Sequence, residues 1–482
     1  MSELSPPQQA TATPAASDSG RNLRGSIGVV GIVFLVVAAA APLTAIGGAL
    51  PVMLAIGDGP GNPMAYVIAA VVLLLFSVGY AAMSRHVVDA GAFYAYVSKG
   101  LGAPTGVGAA GLALLTYTAI QAGIYGLAGA TAEGLVAQYG GPDLPWWLWA
   151  FVLMAVVGLL GYRNIDIGAK VLGVLLTLEI GIIAAVAVAV LVQGGAHGIN
   201  VDSFTPSAFF SGAPGISIMF AIASFIGFEA TAIYGEEARN PRRTVPVATY
   251  VAVVLIGLFY AFASWAIVLA FGVDDVVAAA QADTTGLVFT AGATYISPAV
   301  ADIMQILLLT SLFAALLAFH NAISRYLFSL GRGGRMPTAL GRSHHRHGSP
   351  HIGSVAQTVS AAVVVGVFAL AQADPVLQLF TWMSGLATVS ILVLMVLTSL
   401  AVLVFFARTG VDRRVWHTKV APVLGTVGLL GVIALVLANF TTLISGSAVL
   451  ATVLLVIIAL AFVAGAVLAV TTRHRATATS EG

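Results

Sequence analysis

The chain has 482 residues, of which 59% are apolar and 8% charged, and its mean hydropathy is +1.01. Soluble domains carry roughly 25% charged residues, so a soluble fold would lack the polar atoms to cover its surface. A net charge of +1 leaves no basic excess to neutralise nucleic-acid phosphates, and the lack of cysteine excludes disulfides, thiolate metal sites and cysteine nucleophiles.

Residues 1–24, rich in Pro, Ala, Ser and Thr, read as a disordered cytoplasmic tail without a cleavable signal peptide. Crossing ~30 Å of hydrocarbon takes about 20 apolar residues per helix. That length predicts twelve transmembrane helices in an all-α polytopic membrane protein. Their limits are 26–56, 63–84, 104–131, 146–162, 168–193, 214–234, 247–272, 298–324, 353–372, 376–407, 420–440 and 446–470. Residues 473–482 form a second cytoplasmic tail. With both termini cytoplasmic, all 20 Lys and Arg fall in inner loops. The outer loops carry Asp58, Asp143, Asp202, Asp274, Asp275, Asp283 and Asp374 and no basic residue. Cytoplasmic Lys/Arg excess is the ordinary orientation signal, and one miscounted span would invert every later loop.

Two spans carry helix-breaking signals. The first is too long for one straight crossing and reads Ala38-Ala39-Ala40-Ala41-Pro42-Leu43-Thr44-Ala45-Ile46-Gly47-Gly48. Proline removes a backbone donor and clashes with the preceding turn. The sixth reads Ser224-Phe225-Ile226-Gly227-Phe228-Glu229, a glycine and a carboxylate at membrane depth. Either break alone is compatible with a simple kink in a packed helix. Interrupted segments at matching places in two halves point instead to a secondary transporter's binding site.

Ionisable residues within spans are costly and functional by default. Glu179 lies mid-span with no basic residue near it in sequence, and is either a proton carrier or a neutral acid bonded to a neighbouring helix. Glu229 and His320 are further proton-coupling candidates, His320 having a core histidine as its alternative. Asp302 is close enough to the outer end to reach water. The inner loop Gly331 to His351 holds His344, His345, His347 and His351; it reads as a solvated loop near anionic lipid, with a zinc site as the alternative.

Several segments then read together: Asp89-Ala90-Gly91-Ala92-Phe93-Tyr94-Ala95-Tyr96, the Gly227-Phe228-Glu229 motif, and Glu236-Glu237-Ala238-Arg239-Asn240-Pro241 followed by Pro246. Ser324-Arg325-Tyr326 and Gly331 to Pro337 complete the set. This pattern resembles bacterial permeases of the amino acid–polyamine–organocation superfamily, from the first span to about the tenth. The resemblance implies a LeuT-like core of two inverted five-helix repeats, about 25–193 and 214–407 within 25–407. Residues 408–472 would be two peripheral helices. It implies uptake of an amino acid at the plasma membrane by proton symport and alternating access, or exchange or carriage of amines, polyamines or amino acid derivatives. The implied partners are the small-molecule substrate, protons and membrane lipid, with no cofactor, no metal and no nucleic acid.

Carried over residue by residue, the resemblance gives a substrate site of Thr44, Ala45, Ile46, Gly47 and Gly48 facing Ala223, Ser224, Phe225 and Gly227. Thr116, Tyr117 and Gln121 join from the third span and Ser384 from the tenth, with Phe225 as an aromatic gate. Two departures from the family pattern stand out. Thr44-Ala45-Ile46 occupies the place where many relatives carry G-S-G or G-A-G, unless the unwound turn has moved to Gly47-Gly48. Glu179 falls where some proton-coupled relatives place a lysine, so that mechanism is not inherited. Sodium coupling stays open, since Thr310 and Ser311 offer hydroxyls in the eighth span. A membrane enzyme would need clustered catalytic side chains at the surface, and a channel a filter or charged ring; neither motif is present in the sequence.

Overall fold

A computed structural model describes residues 27–87, 93–163, 169–344, 347–444 and 447–478. Residues 1–24, which carry the expected N-terminal tail, and Asp89 to Ala92 of the first family motif lie outside the described residues. Among the described residues the fold is helical, with one isolated bridge between Ile27 and Ala238. Eleven helices are long and apolar enough to cross a bilayer: Val29–Ile56, Gly59–Ser84, Ala103–Gln138, Trp146–Arg163, Gly173–Gln193, Pro241–Phe271, Pro298–Arg332, His351–Leu370, Pro375–Thr409, Trp416–Ala438 and Ala448–Thr471. The expected sixth span is different. It is a ten-residue helix, Pro214–Ala223, followed by turns and a four-residue helix, Ala230–Ile233.

Prolines mark where several of these helices begin. Pro63, Pro104, Pro241, Pro298 and Pro375 all sit in first turns, where a missing N–H leaves nothing unsatisfied. The seventh span starts at Pro241 rather than 247, which puts Pro246 inside the helix. The last helix runs on to Ala478, into what the sequence suggested was a tail.

Burial separates the centre from the rim. In its most apolar stretch the third span is 78% buried, whereas the twelfth is only 17% buried. The third span packs against the tenth, eighth and twelfth, and the second against the seventh and eleventh. The twelfth approaches the third backbone to backbone. A Cβ on Gly111 would lie 2.3 Å from the Ala461 carbonyl, and one on Gly465 would lie 2.4 Å from that of Val107. Small residues permit such contacts where lipid offers no hydrophobic drive. The cationic ends of the second and seventh spans meet the loop after the tenth around one cavity.

Candidate functional site

The first span is broken as well as long. Helix Val29–Ala40 ends at Ala41, whose φ of +46° is left-handed, a conformation that costs an alanine roughly 1–2 kcal/mol. Pro42 follows, the chain widens into a π-turn over Thr44–Ala49, and α-helix resumes at Leu50–Ile56. The Tyr260 hydroxyl donates to the Ala40 carbonyl at 3.0 Å, meeting one acceptor at the broken end. In the sixth segment the break centres on Gly227, whose φ of +113° suits only glycine. A Cβ there would lie 3.2 Å from the Ala39 Cβ, so the two breaks touch.

Between them lies a small cavity of about 40 Å³, room for a water or two and no organic substrate. Ala39, Ala40, Ala41, Thr44, Ala45 and Ala49 line it from the first segment, and Phe220, Ala223, Ser224 and Ile226 from the sixth. Ile120 and Ile124, Ala315 and Phe319, and Phe380 and Ser384 complete the wall from the third, eighth and tenth spans. The lining is apolar except for three hydroxyls. Ser224 Oγ donates to the Phe220 carbonyl at 2.8 Å. Ser384 Oγ is fully buried and has no hydrogen-bond partner, a group that invites a ligand or water.

Glu179, only 4% exposed, reaches this cavity through other side chains. Ser311 Oγ donates to its Oε2 at 2.7 Å, and Thr44 Oγ1 donates to Ser311 Oγ at 3.3 Å. The relay joins the fifth, eighth and first spans and ends on a cavity hydroxyl. Glu229 is held differently. Tyr117 donates to Oε1 at 2.8 Å, the Gly227 amide to Oε2 at 2.9 Å, and Tyr80 to its backbone carbonyl at 2.9 Å. It clamps the break of its own segment. His320 bonds Ser354 at 2.8 Å and packs against Gly161, among the fourth, eighth and ninth spans.

The expected site residues therefore divide. Thr44, Ala45, Ala223, Ser224 and Ser384 line the cavity. Ile46, Gly47 and Gly48 are buried outside its wall; a Cβ on Gly48 would meet Leu127 at 2.6 Å and one on Gly47 would meet Leu43 at 3.5 Å. Phe225 packs against the Tyr260 ring, 6.1 Å between centroids, while Phe220, Phe319 and Phe380 form the aromatic wall. Tyr117 turns to Glu229, and Gln121 donates to the Leu316 carbonyl at 2.9 Å and accepts from Gln357 at 2.5 Å. Thr116 is fully buried without a hydrogen-bond partner and lies outside the cavity wall. Thr310 spends its hydroxyl on the Leu307 carbonyl. Phe220 was findable at one helical turn before Ser224, and Ala315 and Phe319 at one and two turns after Ser311. In the inner loop, His344 and His351 pack their rings on Tyr162, and Ser349 donates to the Tyr162 carbonyl at 2.6 Å; His345 lies outside the described residues. Among the described residues no group of three metal-binding side chains forms.

Residues 31–475 match the profile of the family described as amino acid permease. The chain belongs to that family. Among its relatives are the aromatic amino acid transport protein AroP of Escherichia coli O6:H1, 27% identical over 62% of this chain and 66% of the relative. The branched-chain amino acid permease BcaP of Lactococcus lactis is 26% identical over 77% of this chain and 81% of its own length. The low-affinity putrescine importer PlaP of Escherichia coli K12 is 24% identical over 58% and 61%. The chain thus spans just under two thirds of AroP and somewhat less of PlaP. This permease is a multi-pass membrane protein, and the plasma membrane is the usual place of bacterial members.

Proposed function

We propose that this permease takes up an amino acid by proton symport, with alternating access around the first and sixth segments of a LeuT-like five-plus-five core (25–407). The observation that carries the reading is the Glu179–Ser311–Thr44 relay, which ties a buried carboxylate to the cavity between two broken segments. With Glu179 ionised, Ser311 donates to it and Thr44 donates to Ser311. A proton arriving on Glu179 removes that acceptor charge and frees the Ser311 and Thr44 hydroxyls to reorient toward the cavity. A buried charge is thereby switched at the point where the two packings of the bundle differ. The ends of Val29–Ala40 and Pro214–Ala223 both face the cavity with the negative end of the helix dipole, which suits a substrate ammonium.

The second reading is a carrier or exchanger of amines. It is favoured by those two converging helix ends and by a lining that includes no cationic side chain to meet a carboxylate. Its likeness to PlaP points the same way.

Uptake of a labelled amino acid and amine panel into proteoliposomes, under an inward proton gradient without sodium, tests both. Accumulation of an amino acid that collapses with uncoupler is the expected result. Uptake only into vesicles preloaded with substrate means exchange. Competition by amines lacking a carboxylate supports the second reading, and accumulation that requires sodium refutes proton coupling.

A further inference from the structure

A second cavity lies at the inner face, away from the substrate site. It measures about 410 Å³ and is lined by Arg85 and His86 at the end of the second span, Arg242 in the first turn of the seventh, and Val411, Asp412 and Arg414 after the tenth. That volume lies in the roughly 300–1,000 Å³ range of small-ligand sites.

Its charges do not balance. Three guanidinium groups surround one carboxylate, and Arg414 already occupies Asp412, its Nε lying 3.0 and 3.1 Å from the two oxygens. Among the described side chains neither Arg85 nor Arg242 has an acidic partner, and Arg85 Nε is buried with no hydrogen-bond partner. Arg242 and Arg243 stand in the first turn of a 31-residue helix that has no acidic residue there and no side-chain cap. Helix N-termini are already positive, so cations in that turn are unfavourable unless an anion neutralises them. Planar guanidinium forks are donors that phosphate oxygens take.

The cavity also sits at a definite depth. Trp416 and Val415 beside it, and Val247 and Val251 on the seventh span, are exposed apolar side chains, 49%, 58%, 40% and 38% accessible. Tryptophan marks the level of lipid headgroups, and the Lys/Arg-rich face is the cytoplasmic one. Basic pockets between spans on that side suit anionic headgroups.

We propose that the Arg85–Arg242–Arg414 cavity binds a phosphate group, carried by an anionic phospholipid of the inner leaflet or by a soluble phosphate compound. The phosphate supplies the counter-charge that Arg85 and Arg242 lack among the described side chains and joins the second and seventh spans to the loop that leads to the eleventh.

The full-length protein in neutral detergent tests this. Binding of phosphatidylglycerol, phosphatidylcholine and inorganic pyrophosphate would be measured for the wild type, the double variant Arg85→Gln/Arg242→Gln, and Arg342→Gln as an exposed inner-face control. An arginine at an anionic surface contributes about fivefold in affinity, so the double variant should bind phosphatidylglycerol about 25-fold more weakly. The control should match the wild type, and phosphatidylcholine should not bind the cavity. Arginine-dependent binding of pyrophosphate without phosphatidylglycerol supports the site and makes the source soluble. Equal binding of both anions by the double variant and the wild type overturns the proposal, as does binding of neither anion by the wild type. Arg242→Gln alone, on an exposed turn, keeps the test decisive if the double variant does not fold.

Discussion

Glu179 and Glu229 are both glutamates buried at the breaks of this bundle, each beside a backbone amide and a hydroxyl, yet their hydroxyl partners lead to different places. The donors to Glu229 come from its own segment, through the Gly227 amide, and from the aromatic hydroxyl of Tyr117. The side-chain donor to Glu179 is a serine on another span, itself receiving a bond from the cavity-lining Thr44. Glu179 too has a backbone amide beside it, that of Leu43 in the broken first segment, so the difference lies in where the hydroxyl partner leads: Ser311 on to the cavity, Tyr117 outside its wall. Glu229 clamps a non-helical turn, whereas in the proposed function Glu179 exchanges its serine partner when it gains a proton. Burial alone does not distinguish them, since both are nearly inaccessible; the onward bond from Thr44 to Ser311, which ties Glu179 to the cavity, does.

Replacing Glu179 gives the largest expected effect. Glu179→Gln keeps the shape and a hydrogen-bonding group but removes the titratable charge. Proton-driven accumulation should vanish while substrate binding, read by thermal stabilisation with the transported solute, persists. Accumulation at the wild-type level would end the assignment of Glu179 as the proton carrier. Replacing Glu229 should act on the fold instead. Glu229→Ala strips the acceptor from the Tyr117 hydroxyl and the Gly227 amide, and bonds to a charged group are worth roughly 1.5–3 kcal/mol each. A loss of about 3 kcal/mol should appear as a lower Tm and poor recovery from the membrane, with Glu229→Gln losing less. If Glu229→Ala is as stable as the wild type but fails to accumulate substrate, the two carboxylates have been assigned the wrong way round.

Ser311→Ala sharpens the contrast with a smaller change. It should leave the fold intact and cost about 1 kcal/mol at the relay, close to fivefold in the apparent proton affinity of uptake. An unchanged pH profile of uptake would mean that Glu179 acts on the cavity without Ser311.

The sequence made some of this legible and hid the rest for physical reasons. Pro42 and Gly227 announced the breaks because their backbone limits act locally. The left-handed residue proved to be Ala41, which nothing local favours; the fold must hold it there. Tyr117 and Gln121 do share a face four residues apart, but the rotation of the third span presents Ile120 and Ile124 to the cavity instead. Spacing fixes which residues share a face, and packing against the eighth and tenth spans decides where that face looks. Likewise Phe225 lies two residues before the break in sequence, yet it packs on Tyr260 rather than lining the cavity. The link from Glu179 to Thr44 crosses 132 and 267 positions of sequence separation, and no periodicity reports a contact of that kind.

A third carboxylate extends the comparison to the outer surface. Asp58 lies between the first and second spans, 1% exposed, and both its oxygens are buried with no well-aligned hydrogen bond. Its corner ties the first segment to the start of the sixth: its amide donates to Ser217 Oγ at 2.7 Å, and the Ala213 amide donates to the Gly57 carbonyl at 3.2 Å. Burial pushes the Asp58 carboxyl up from 3.8 to about 7, with Ser217 and Gly212 pulling back only in part. The sign follows from proton counting. Between about pH 4 and 7 the folded protein holds a proton on Asp58 that the unfolded chain has released, so the stability of this corner falls as pH rises through that window and levels off above it. Asp58→Asn carries no titratable proton and should flatten that part of the Tm profile between pH 4 and 8, raising Tm most at the alkaline end. Parallel profiles for Asp58→Asn and the wild type would show that the carboxylate finds donors in solution, as Glu229 does. A flattened profile would make Asp58 the one carboxylate of the three held by neither a clamp nor a relay.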